Sequence, residues 1–229
     1  MSAQTTSYIP LSLHEDYAPA WKVWEGVREL VQNCHDGALS SAAASRCEWS
    51  AAAEHVFVCN LQGGAAANQD GPMAKICYLP ELQRLVLINR HTGLQRKVLL
   101  LGASQKDDSC GQAIGQFGEG MKVGTLALLR EGRRVEMSTR GEHWQWTRRV
   151  DDRFGARVLT VAVSAHTDDP LSPIDVDDGA SGDGVTSRGL HRRLGPDDTV
   201  TWIEPLTASE WDGYCIRFLF LRPPASSFE

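Results

Sequence analysis

The sequence lacks paired cysteines, long apolar runs and an excess of positive charge. Its six cysteines are scattered and form no C-x-x-C pair, so their spacing predicts neither a zinc site nor a thioredoxin-type motif. No apolar run is long enough to span a bilayer and no signal peptide is recognisable, so we expect no membrane partner. The net charge of −6 disfavours nucleic acid as a partner. Reduced cysteines of this kind indicate the cytoplasm or another reducing intracellular compartment.

Two common nucleotide-binding motifs are also missing. A Walker A loop ends in Gly-Lys-Ser/Thr, whereas Gly120 is followed by Met121. A Rossmann fingerprint reads Gly-x-Gly-x-x-Gly, whereas this chain reads Gly-x-x-Gly-x-Gly in its glycine-rich stretch. The P-loop and dinucleotide-binding families are therefore excluded as an explanation of these glycines.

Length and composition predict a single domain over residues 1–229. An apolar content of 42% and a charged content of 23% are ordinary for a globular protein. We expect residues 1–7 and 223–229 to be flexible ends. Residues 167–187 are rich in Asp, Gly, Ser and Pro and do not follow the spacing of a calcium loop. They are predicted to form a mobile acidic insertion.

One glycine-rich stretch, Ala113–Lys122, stands out from the rest of the chain. Its three glycines are followed by apolar residues at helical spacing, which predicts a helix over 119–130. A helix that begins just after glycines directs free N–H groups and its positive dipole end at whatever occupies the loop. The pattern is that of a phosphate-binding loop, but a glycine cluster alone is also typical of a plain turn.

A long helix is predicted from about Ala18 to Ala38, with Gly37 helping to end it. Its core-facing stripe consists of Val27, Leu30, Val31 and Cys34. A second, polar set at helical spacing consists of Glu29, Asn33 and Asp36. Such a face is either solvated or directed at a polar ligand. In a nucleotide site the Asn33 oxygen could hold Mg²⁺ and Glu29 could activate a water molecule.

Strands are predicted from period-two alternation and β-branched residues in much of the remaining sequence. The predicted strands are 55–59, 75–79, 84–88, 134–139, 143–148, 157–163, 200–203 and 214–221. Residues 8–11 are predicted to form a short strand or a strap across another element, and 98–101 a short helix capped by Gly102. Trp144 and Trp146 share one side of their strand, where we expect them to pack against a helix; an aromatic platform for nucleic acid is the alternative.

Residues 29–37, Glu-Leu-Val-Gln-Asn-Cys-His-Asp-Gly, resemble the N box of the GHKL ATPases. These Bergerat-fold proteins include DNA gyrase B, the ninety-kilodalton heat-shock chaperones, histidine kinases, MutL and the MORC proteins. The loop at 115–120 resembles their second glycine box, and the resemblance covers about residues 8–165. It implies a two-layer α+β sandwich whose mixed, mostly antiparallel sheet carries the helices on one face.

The chain departs from the common family pattern at the box Asp-x-Gly-x-Gly. Here the matching residues are 89–93, in which Asn89 replaces the Asp, His91 replaces the first glycine and Gly93 is kept. An Asn oxygen can still accept from an adenine amine, while its nitrogen adds a donor. A subgroup of phage- and bacteria-encoded GHKL-like proteins is similar at this Asn and over Leu99–Lys106.

The resemblance implies a role for each matching residue. Glu29 is the catalytic base and Asn33 the magnesium ligand. Residues 103–113 form the ATP lid, which we expect to be mobile. Lys106 and Lys122 are either phosphate contacts or exposed surface lysines. The implied nucleotide contacts are Asn33, Asp36, Asn89, Gly93, Lys106, Gly115, Gln116, Phe117, Gly118, Glu119, Gly120 and Lys122.

The sequence therefore predicts a domain that binds ATP with Mg²⁺ and hydrolyses it to ADP and phosphate. We expect hydrolysis to be slow, because larger family members supply a lysine to the γ-phosphate from a transducer domain. Nucleotide state would be coupled to lid closure and to a homodimer or a protein partner. The alternatives are a nucleotide-gated binding module without turnover and a degenerate scaffold. A histidine kinase is disfavoured, because no phosphoacceptor helix is visible.

Overall fold

A computed structural model describes residues 5–41, 46–62, 71–100, 119–165, 195, 197–215 and 217–218. The helices are α1 (Val23–Ser41), α2 (Gly120–Arg130) and α3 (Ala208–Cys215). The strands are β1 (Ser7–His14), β2 (Arg46–Ala53), β3 (Val56–Gln62), β4 (Ala74–Leu79), β5 (Arg84–Asn89), β6 (Arg134–Thr139), β7 (Glu142–Asp151), β8 (Ala156–Ala165) and β9 (Thr199–Glu204). Two 3₁₀ helices occupy Pro80–Leu82 and Arg96–Leu99; the second is called the wall helix below.

The strands form one nine-stranded sheet in the order β1-β8-β7-β6-β9-β5-β4-β3-β2. The prediction of an α+β fold is confirmed. The prediction of a mixed sheet is wrong for the described residues, because every neighbouring pair is antiparallel. Two runs of hairpin-connected strands, β2–β5 and β6–β8, are joined through β9, which pairs with both β5 and β6. No parallel crossover is needed to close this order.

The main core lies between the helices and one face of the sheet. Val27, Leu126 and Trp211 from the three helices share one buried cluster with Leu159 and Ile203 from the sheet. The opposite face carries a smaller cluster of Val56, Cys77, Val86, Ile88, Val200 and Trp202. Trp144 and Trp146 are buried in the main core, so the expected packing of these two rings is confirmed and the nucleic-acid platform is excluded. No helix in the described ranges is long and apolar enough to cross a bilayer.

Helix α1 begins and ends later than predicted. Ala18 has a φ of +50°, and the Trp21 N–H donates to its carbonyl at 3.0 Å, so this segment is a turn. The Glu25 carboxylate accepts the Lys22 N–H at 2.8 Å, which is the N3-to-N-cap contact of a capping box. Gly37 lies inside the helix rather than ending it.

Glycine also sets how closely the two long helices approach each other. A Cβ built on Gly26 of α1 would lie 2.7 Å from the Gly124 carbonyl oxygen of α2 and 2.5 Å from the Leu128 Cγ. Because backbone oxygen cannot turn aside, only glycine allows this crossing. The crossing brings Glu29 of α1 against the first turn of α2.

The predicted elements at 119–130, 55–59, 75–79, 84–88, 134–139, 143–148, 157–163 and 200–203 are confirmed in type. Residues 8–11 belong to strand β1, while β2 had no clear sequence signal. The strand predicted at 214–221 is wrong at its start, because Tyr214 and Cys215 lie in α3. That helix buries Trp211 in a stack on Tyr78, with ring centroids 5.9 Å apart. Gly102, the lid at 103–113, the insertion at 167–187 and the tail at 223–229 lie outside the described residues.

Candidate functional site

A cavity of about 580 Å³ lies between α1, the start of α2, the wall helix and the ends of three central strands. Residues from α1 on its lining are Leu30, Asn33, Cys34, Gly37 and Ser40. Residues from the sheet and its connections are Leu87, Asn89, His91, Thr92, Gly93, Leu94, Met137, Arg140, Asp197, Thr199 and Thr201. Lys97, Val98 and Met121 complete the lining. The sequence had placed Asn33, Asn89 and Gly93 at one site, and the structure brings these three residues together.

Two rows of side chains, one polar and one largely apolar, form the floor of the cavity, and all of them except Thr139 line it. Register pairing sets Asn89, Thr199 and Thr139 side by side across β5, β9 and β6. The next row toward the strand centres is Leu87, Thr201 and Met137. A ligand on this floor meets hydrogen-bonding groups at one edge and apolar surface beside them, which is typical of sites for a ring with polar substituents.

The polar row is ordered by a chain of hydrogen bonds with a defined direction. The Thr199 hydroxyl donates to the Thr92 carbonyl at 3.0 Å. Since a hydroxyl has one proton, Thr139 is the donor in its 2.8 Å bond to Thr199. Thr139 in turn accepts the Leu94 N–H at 2.8 Å. Thr199 therefore keeps one lone pair with which it can accept a hydrogen bond from a ligand.

Asn89 is oriented by the backbone of α1. Its Nδ2 donates to the Cys34 carbonyl at 2.6 Å, and a Cβ on Gly37 would lie 3.0 Å from the same nitrogen. The reverse orientation would set two oxygens against each other, so Oδ1 is the atom turned away from α1. Burial raises the pKa of the Cys34 thiol well above its usual range, and the Asn89 side chain opposes this only in part. Cys34 therefore stays a neutral thiol on the cavity wall.

His91 adopts a backbone conformation that favours glycine. His91 has a φ of +54°, in the left-handed region that costs most residues about 1–2 kcal/mol. Its N–H donates to the Asp198 carboxylate at 3.1 Å, which fixes the turn. Gly93 permits a close approach, because its Cβ would lie 2.9 Å from the Arg140 Cγ and 3.3 Å from the Asp197 Cα.

Glu29 and Gly120, far apart in the sequence, are in direct contact. A Cβ on Gly120 would lie 2.2 Å from the Glu29 Oε2, so the carboxylate occupies the place of a side chain at the start of α2. A carboxylate is favoured there by the free N–H groups and the helix dipole. Its other oxygen accepts from the Arg28 Nη2 at 2.8 Å. Met121, the next residue of α2, lines the cavity.

Asn33 presents an oxygen to the cavity from one turn further along α1. Its Nδ2 donates to the Glu29 carbonyl at 2.8 Å, and among the described residues no donor reaches its Oδ1. The described ranges contain no group of three or more His, Cys, Asp or Glu side chains that could hold a metal. A magnesium ion here would need oxygen ligands from elsewhere, which fits its usual coordination by one or two side chains plus ligand phosphates.

Glu29 and Gly120 are not among the residues that line the cavity, and three further predicted contacts also lie away from its lining. Asp36 is fully buried in α1. Glu119 precedes α2 and does not line the cavity. Lys122 is also fully buried, and its Nζ donates to the Leu100 carbonyl at 2.5 Å. The roles of these residues toward a nucleotide stay predictions. The remaining predicted contacts, Lys106, Gly115, Gln116, Phe117 and Gly118, lie outside the described residues.

The sequence did not indicate the threonines of the floor rows, nor Arg140. Thr139 and Thr199 carry no motif, and only the pairing of β9 between β5 and β6 brings them to Asn89. Arg140 also lines the cavity and has a φ of +50° in the β6–β7 turn. A non-glycine residue in that conformation would have been a signal, but it is visible only in the structure.

Comparison with known proteins adds no relative of this chain. No family model, no curated protein and no solved structure matches it.

Proposed function

We propose that this protein binds ATP with Mg²⁺ in the described cavity and hydrolyses it slowly to ADP and phosphate. The proposal includes the finer assignment of the fold as a Bergerat-type ATP-binding domain. It is supported by an antiparallel sheet whose helices lie on one face, with the cavity between α1, α2 and the floor of central strands.

The contact between Glu29 and Gly120 is the observation that carries the proposal. Glu29 belongs to the stretch that resembles the N box and Gly120 to the loop that resembles the glycine box, and the two residues are in contact. The close crossing of α1 and α2 at Gly26 and Gly124 allows this meeting, which places the Glu29 carboxylate at the N-terminus of α2. The contact lies beside Met121, the residue of α2 that lines the cavity, and a helix N-terminus favours phosphate.

In this proposal each residue of the site has a separate role. Asn89 and Thr199 hold the polar edge of the base from the floor, while Leu87 and Met137 contact its ring. Glu29, whose Oε2 is held at the start of α2, orients and deprotonates the attacking water. Mg²⁺, when bound through the Asn33 oxygen and phosphate oxygens, would neutralise charge on the phosphates.

Binding is tested by calorimetric titration with a non-hydrolysable ATP analogue, with and without Mg²⁺. We expect metal-dependent binding that Asn33→Ala weakens. Turnover is tested by phosphate release from Glu29→Gln, which should bind the analogue as wild type does and lose activity by about a hundredfold or more. Glu81→Gln, a change of the same chemistry at an exposed site in Pro80–Leu82, is the matched control. Wild-type turnover in Glu29→Gln would rule out Glu29 as the base.

A second function, nucleotide-gated binding without turnover, is favoured by the altered box at Asn89 and His91. Nucleotide binding would then order the site and create a surface for a protein partner or a second copy of the chain. Phosphate release distinguishes the two functions: binding of the analogue together with no release of phosphate from ATP supports the second.

A further inference from the structure

A buried lysine ties the first turn of α2 to the end of the wall helix. Lys122 is fully buried, and its ammonium donates to the carbonyl of Leu100, which is the C-cap of the wall helix. Burial lowers the pKa of Lys122, and the charge of Glu119 acts in the opposite direction. Burying an ammonium group costs free energy. The presence of a lysine at this position therefore indicates a role that an apolar residue could not fill.

The wall helix is held at its other end by a second cation. Arg96 donates to the Glu142 carboxylate of β7 through Nε at 3.0 Å, and its Nη2 lies 2.8 Å from the same carboxylate. The Trp144 indole also donates to Glu142 at 2.8 Å. Short 3₁₀ helices have poor internal hydrogen bonding. The position of this one therefore depends on what holds its two ends.

The wall helix forms part of the cavity lining. Its residues Lys97 and Val98 line the cavity. The wall helix is attached to the rest of the fold by the contacts of Lys122 and Arg96 and by the burial of Val98 and Leu99. A shift of Leu100 would be passed directly to Val98, two residues earlier.

We propose that Lys122 is a positioning residue that fixes the wall helix through the Leu100 carbonyl and acts on ligand affinity without touching the phosphates. The inference rests on the proposed nucleotide-binding function and replaces the phosphate contact expected from the sequence. It is consistent with a lysine at this buried position, because the Lys122 Nζ reaches the Leu100 carbonyl from α2.

The test separates a positioning role from a phosphate contact by the choice of ligands. Adenosine and ADP with Mg²⁺ are titrated into wild type and into Lys122→Met, whose side chain is of similar length and carries no charge. We expect both ligands to bind about tenfold more weakly, by the same factor, because the wall moves for both. A lysine on the phosphates would instead weaken ADP binding and leave adenosine binding unchanged.

Stability provides an independent readout. Lys122→Met loses a hydrogen bond at the end of the wall helix but keeps the length of the side chain, so we expect its melting temperature to stay within a few degrees of wild type while affinity falls. A lysine that only supported the fold would lower the melting temperature, and affinity would follow it. Lys75→Met is the matched control, because Lys75 is also a buried lysine but lies in β4 away from the cavity lining.

Arg96→Ala tests the other end of the wall helix with a partly exposed residue. We expect adenosine and ADP to weaken by one common factor, smaller than for Lys122→Met. Unchanged affinities in both variants, or a loss confined to ADP, would overturn the inference. If wild type bound neither ligand, the proposed function itself would fail, and the two failures are thereby distinguishable.

Discussion

Replacing Gly120 with alanine is expected to separate catalysis from stability. The new Cβ would lie 2.2 Å from the Glu29 Oε2 and 3.2 Å from its Cδ, and no backbone atom is among the near neighbours. The side chain of Glu29 can therefore move away, but it has to retreat by about 1 Å to reach an ordinary contact distance. The fold can accept this change, whereas the position of the carboxylate cannot be kept.

The substitution is expected to change stability and ATP turnover in opposite directions. Alanine is a better helix former than glycine by up to about 1 kcal/mol, so we expect the melting temperature to stay the same or to rise by up to about 3 °C. A displacement of about 1 Å in a catalytic group costs on the order of a hundredfold in rate. Gly120→Ala should thus be a stable protein with ATP turnover reduced by about that factor.

Thermal melting and steady-state phosphate release measure the two effects on the same preparation. Gly213→Ala is the control, because a Cβ on Gly213 of α3 would meet nothing within 4 Å. It should share any gain in stability and keep wild-type turnover. Wild-type turnover in a folded Gly120→Ala protein would refute the reasoning, because it would mean that the contact with Glu29 does not set the active geometry.

Three further predictions concern stability. Gly26→Ala should lower the free energy of unfolding by about 2 kcal/mol, because the Gly124 carbonyl cannot move aside. A wild-type free energy of unfolding in denaturant titration would contradict the close crossing of the two helices. His91→Gly should raise the unfolding free energy by up to about 1 kcal/mol by relieving a φ of +54°, and a loss in the same assay would argue against it. Burial lowers the pKa of His35 below its usual 6.5, and its Nδ1 accepts from the Trp49 indole at 2.8 Å. The unfolded chain is therefore protonated first, and stability should fall as the pH drops below 6.5; His35→Gln should flatten that slope, and an identical slope would exclude His35 as its source.

The helices and most strands were predictable because their signals are local. The stripe from Val27 to Cys34 has the helical period and is buried as expected. Strand alternation likewise located β4 to β8 to within a few residues. These patterns reflect burial on one side of a regular backbone. The periodicity of the apolar residues is visible within each segment alone, without knowledge of its neighbours in the fold.

The errors arose where a distant contact overrode a local preference. Gly37 reads as a helix end, yet α1 continues through it because Asn89 packs against that glycine from β5. Tyr214 reads as strand, yet it belongs to α3, where the ring of Trp24 from α1 lies 5.2 Å away. Propensity is a weak prior against contacts of this kind.

For the candidate site, the sequence by itself determined which functional side chains are present and how they are spaced along the helices. Glu29 and Asn33 share a helix face, and Gly120 opens the next long helix, because spacing along a helix dictates both facts. The resemblance to a known family then depended only on the order of these residues. None of this required knowledge of the fold.

Only the tertiary structure decided which of these residues meet and what each one contacts. It set Gly120 against Glu29, turned the Asn89 amide nitrogen onto α1, and brought Thr199 beside Asn89. It also buried Lys122, which the sequence would place equally well on a phosphate. The physical reason is that strand pairing and helix crossing act between residues far apart in the chain, and no local period carries that information.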